Sequence, residues 1–89
     1  MLSAILVEFI GTSYLLGIIS FVGDPVFVVS SFALVTALGR KASGAHFNPA
    51  VTAMELITGK ISKTKGAYYM LAQFTAAIFI YVLGYFVQV

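Results

Sequence analysis

The sequence predicts an all-α membrane protein: three spanning helices and one shorter helix that enters the membrane and returns. Three observations point there. Of the 89 residues, 61% are hydrophobic and only 9% are charged, whereas a soluble domain carries about a quarter of charged residues to wet its surface. The mean hydropathy is +1.05. The apolar residues also fall into three long runs, with a fourth segment broken by Gly44, His46 and Asn48-Pro49. Five basic and three acidic residues cannot coat a water-soluble fold, which excludes an ordinary cytosolic enzyme and a disordered tail. No basic face of the kind that binds nucleic acid accompanies them. With no cysteine and one histidine, neither a disulfide framework nor a multi-histidine metal centre is expected, and no cofactor.

The first run, 1–22, carries one charge, Glu8. Its start, Met1-Leu2-Ser3, has no basic residue and no small-residue cleavage site follows, so it is expected to remain as a span. Gly23-Asp24-Pro25 breaks it with a turn. The second run, 26–40, measures about 22 Å as helix, short against a hydrocarbon core of about 30 Å. Arg40-Lys41 is expected to close it. The third span, 66–89, has no charge and reaches about 36 Å as helix. Between them lies 42–58, apolar only in part. Its helical portion from Pro49 to Thr58 covers about 15 Å, half a membrane, and so is re-entrant or interfacial. If that segment dips and returns, all five basic residues share one side, against Asp24 alone on the other. The amino terminus is then cytoplasmic.

The informative string is Ser43-Gly44-Ala45-His46-Phe47-Asn48-Pro49-Ala50-Val51-Thr52. Asn is a strong helix N-cap, and Pro suits the first helical position because its missing N–H had no partner to lose. A helix therefore starts at Asn48-Pro49, with Gly44 permitting an irregular approach. Free carbonyls at membrane depth are tolerated only against protein or a wet cavity. A half-helix starting there would aim its positive end and an Asn amide into such a cavity. From capping alone, a capped interfacial helix with an ordinary loop is an equal reading.

That string resembles the first Asn-Pro-Ala box of the aquaporin and aquaglyceroporin family, the major intrinsic proteins. Val7-Glu8-Phe9-Ile10-Gly11-Thr12 resembles the family's first-span signature, and Ala72-Gln73 matches a pair in its third span. Val51 follows the box where the second-half form carries arginine, so the chain resembles the first half of the family's inverted repeat over essentially 1–89. The resemblance implies a passive channel subunit for water or small neutral solutes such as glycerol, not an enzyme. A second half-repeat would complete the pore, from another copy or a complementary chain, alone or within a higher oligomer. It also implies roles. Asn48 would donate to solute in single file, and Pro49 and Ala50 would pack the half-helix tip. Gly44, Ala45 and His46 would line the pore with carbonyls. Val28, twenty before Asn48, would join the narrow filter, where the family commonly has an aromatic residue. Glu8 and Gln73 would brace the re-entrant loop.

Other residues have plainer readings. A carboxylate within a span is a functional candidate by default, but structural support is favoured for Glu8. His46 reads as a pore-lining donor, a pH sensor or a packed loop residue, with packing favoured. Glu55 falls about 10 Å along the half-helix from Asn48, at a solvated mouth near Lys60. The tyrosines Tyr14, Tyr68, Tyr69, Tyr81 and Tyr85 would anchor span ends or pack between helices. The rival functional reading is a non-conducting or modulatory membrane interaction protein. A hydrolase using Ser43, His46 and Glu8 is a weak third, because Ser and His three apart often coincide by chance.

Overall fold

The computed structural model describes residues 1–87. Positions 88 and 89, the end of the expected third span, lie outside the described residues. The first helix, α1 (Leu2–Gly17), is prolonged by a π-helical turn over Ile18–Val22; α2 (Pro25–Ser43), the short α3 (Pro49–Ile57) and α4 (Lys63–Val87) follow. No strand occurs among the described residues. Three units are long and apolar enough to cross a membrane: Leu2–Val22, Pro25–Ser43 and Lys63–Val87, with mean hydropathies of 2.0, 1.3 and 1.9. The fold is the expected one, three membrane-length helices and a short fourth.

Two boundaries differ from expectation. Arg40-Lys41 does not close α2, which continues to Ser43 and stops at Gly44, where φ is 90° and the Gly44 N–H donates to the Arg40 carbonyl. Cations favour a helix C-terminus because they complement its dipole; what ends the helix is the left-handed glycine. The 19 residues of α2 then cover about 28 Å, close to the hydrocarbon thickness. Likewise α4 begins at Lys63, since lysines at a membrane border stay helical while their ammonium groups reach water. Its first turn is capped by Ser62, whose hydroxyl accepts from the Lys65 N–H at 3.1 Å.

Polar and apolar side chains share the inside of the bundle, and large apolar side chains cover its outside. Glu8, Thr12, Ser43, His46, Thr52 and Gln73 are buried, while Ile10, Val26, Leu38, Leu71 and Ile78 are more than half exposed. Among the buried residues, Glu8, Ser43, His46, Thr52 and Gln73 bond one another within the protein, while Thr12 Oγ1 and Gln73 Oε1 have no partner among the described residues. Helical spacing sorts the buried residues: Ala4, Glu8, Thr12 and Leu15 form the buried stripe of α1, and Tyr69, Gln73, Ala76 and Ile80 that of α4. Helix α1 packs on both α2 and α4, and α3 lies on α4. That last approach is close: a Cβ added at Gly66 would stand 2.6 Å from Leu56.

Candidate functional site

The chain turns back between α2 and α3 in five residues, and three of them are left-handed: Gly44 (φ 90°), Ala45 (φ 55°) and Phe47 (φ 52°). For alanine and phenylalanine that conformation costs on the order of 1–3 kcal/mol each, so something must hold it. Glu8 does. Its fully buried carboxylate accepts four hydrogen bonds: from Ser43 Oγ at 2.7 Å, the His46 N–H at 3.0 Å, the Phe47 N–H at 2.8 Å and Gln73 Nε2 at 2.9 Å. A carboxylate inside the bundle is tolerable because donors replace its water. The Ala45 N–H turns the same way, onto Ser43 Oγ at 3.1 Å.

A second layer holds the first. Gln73 Nε2 also donates to Thr52 Oγ1 at 2.9 Å, and His46 Nδ1 lies 2.9 Å from that oxygen. Thr52 has one proton to give. The direction of the His46–Thr52 bond follows the imidazole tautomer. The Tyr69 ring meets the imidazole edge-on at 5.0 Å, and its hydroxyl donates to the Ser43 carbonyl at 2.6 Å. On the other side the Phe47 ring fills a slot between two glycines. A Cβ at Gly11 would collide with the ring, and one at Gly39 would stand 2.7 Å from its Cζ.

At the tip, Asn48 caps α3. Its side-chain Oδ1 accepts from the Ala50 N–H at 2.8 Å, with Pro49 at the first helical position. Because the oxygen is committed to the cap, the amide nitrogen faces outward as a donor, and the residue is exposed. Thus Gly44, Ala45 and His46 lie in the descending loop, Asn48, Pro49 and Ala50 at the half-helix tip, and Glu8 and Gln73 meet beneath the loop. Val28 stands apart, half-buried in the first turn of α2, about 22 Å along that helix from Ser43.

Ser43, His46 and Glu8 do gather, but not as a hydrolase. The Ser43 hydroxyl donates to Glu8, and the imidazole Nδ1 bonds Thr52. Phe47 and Thr52 stand in the informative string and Gly11 in the first-span signature, but none of them took a role from sequence, and Gly39 carried no motif. Signals existed: Thr52 is one turn past Asn48, and small residues within spans mark close helix contact.

The profile of the Major intrinsic protein family matches residues 1–88. The chain belongs to that family. Its members are membrane channels, so the chain is an integral membrane protein of an aquaporin-like channel family. No solved structure matches it.

Proposed function

We propose that this chain forms one wall of a passive pore for water or small neutral solutes such as glycerol, completed by a second half-repeat. The observation that carries the reading is the direction of the loop's backbone. The N–H groups of residues 44–47 all bond inward, to Arg40, Ser43 and Glu8. Among the described residues no donor reaches the carbonyls of Gly44, Ala45 or His46. A row of free acceptors ending at the outward amide of Asn48 offers a desolvated solute successive replacements for its water. The positive end of α3 opposes cations at that point. In this reading Pro49 and Ala50 form the surface that meets the second half-helix, and Val28 contributes to the filter. The amino terminus lies on the cytoplasmic side with the five basic residues.

Asn48→Asp separates pore from scaffold. An Asp carboxylate caps a helix as well as Asn does, so stability should stay within about 0.5 kcal/mol. Loss of the amide donor should lower solute flux about tenfold in proteoliposomes holding the chain together with a second half-repeat. The measurement is stopped-flow light scattering, with the chain alone as reference. Unchanged flux in the variant would remove Asn48 from the pore, and the reading with it.

A further inference from the structure

Four of the chain's five cations line one cleft. Arg40 and Lys41, at the end of α2, share it with Lys60, from the α3–α4 connection, and Lys65, from the first turn of α4. The cleft holds about 590 Å³, and a single carboxylate, Glu55, joins the four cations on its walls. Lys63, the fifth cation, is not among its lining residues.

Arg40 and Lys41 have a local explanation, since cations complement the C-terminal dipole of α2. Lys65 does not. It stands in the first turn of α4, where the dipole disfavours a cation and no acidic residue compensates. Nor does it simply extend into solvent. Its ammonium sits over the Tyr69 ring, 5.5 Å from the centroid, and that ring is pinned by its hydroxyl on the Ser43 carbonyl. Cation–π attraction therefore holds the charge at the cleft wall. Lys60 is set by its N–H on the Glu55 carbonyl at 2.9 Å, which closes the turn after α3. Four cations against one carboxylate on the walls of one cleft give it a positive potential that an anion would offset.

We propose that this cleft binds a phosphate-bearing anion, its charged group lodged between Lys60 and Lys65 on one wall and Arg40 on the other. A phosphate fits better than a monovalent anion because it carries more charge to offset the excess. It also presents several acceptor oxygens to the Arg fork and the two ammonium groups. The group comes either from an anionic lipid, whose headgroups lie at the same membrane border, or from a free phosphorylated solute. Gly44, Ala45 and His46 also line the cleft, so the anion would sit beside the loop assigned to the pore, and its binding is measured without conduction.

The test titrates the purified chain in uncharged detergent with inorganic phosphate, followed by phosphorus NMR. A parallel arm measures retention of phosphatidylglycerol over phosphatidylcholine by native mass spectrometry. Lys60→Gln and Lys65→Gln should each weaken binding about tenfold, while Lys63→Gln, the same charge change outside the cleft, should stay within about twofold. Circular dichroism checks that each variant keeps its helicity, and Lys60 is an exposed residue. Saturable phosphate binding with that variant pattern supports a site open to free phosphate. The same pattern for phosphatidylglycerol alone supports a lipid headgroup site. Equal weakening by Lys63→Gln would mean diffuse surface charge and overturn the proposal, as would absence of binding in both arms.

Discussion

The two ends of this bundle are held together by different means. At the half-helix end, Glu8, Ser43, His46, Thr52, Tyr69 and Gln73 form one connected hydrogen-bonded cluster, buried throughout. At the turn end, α1 runs out through its π-helical turn to Gly23 (φ 72°), and Asp24 caps α2 by accepting from the Val26 N–H at 2.9 Å. There α1 and α4 border a cleft of about 800 Å³ between Leu16, Phe21, Ile80 and Tyr85. A side-chain bond joining α1 to α2, Tyr14 to Ser31, is long at 3.3 Å. The contrast shows where directional bonds are needed. Intact helices satisfy their own backbone and need only apolar contact, whereas a buried turn that leaves helical geometry must have its N–H groups met by fixed acceptors, as Glu8 meets those of His46 and Phe47.

The largest expected effect comes from removing the acceptor shared by that loop. Glu8→Ala leaves two buried backbone N–H groups without partners and frees the left-handed turn. A loss of about 3 kcal/mol or more follows, read from denaturant unfolding in mixed micelles. If the variant unfolds within about 1 kcal/mol of the parent, the contrast between the two ends fails, because something other than Glu8 holds the loop.

Two glycines of α1 sharpen the same comparison. Gly11→Ala drives a methyl into the Phe47 ring, and overpacking of this kind costs about 1–3 kcal/mol. Trimming the ring with Phe47→Leu should return part of that loss, so the two changes should be non-additive by at least about 0.5 kcal/mol. Strict additivity in a double-mutant cycle would mean that the slot yields freely. The smallest effect belongs to the turn end. At Gly17 an added Cβ meets only Ile80 Cδ1 at 3.8 Å and Phe21 at 4.0 Å, ordinary van der Waals contact, with φ at −61°. Gly17→Ala should therefore stabilise the helix by about 0.5–1 kcal/mol, seen as a higher unfolding midpoint. A destabilisation there would show that the turn end is as tightly packed as the other.

Composition and run length by themselves determined the membrane class, the number of long helices and the start of α3. Those follow from local physics: lipid solvates apolar side chains, and Asn-Pro caps and opens a helix whatever surrounds it. Charge was a poorer guide to helix ends. Arg40 and Lys41 looked like a boundary, yet a charge at a helix C-terminus is compatible with its continuation, and only Gly44 breaks the geometry. What the tertiary structure decided was who meets whom. Glu8 and Gln73 are 65 residues apart and meet at 2.9 Å; Phe47 enters a slot cut by Gly11 and Gly39 from two other helices. Such pairings depend on the rotation and separation of packed helices, which no single segment encodes. The left-handed turn at Ala45 and Phe47 depends on them too, because neither residue favours that conformation unless distant acceptors hold it there.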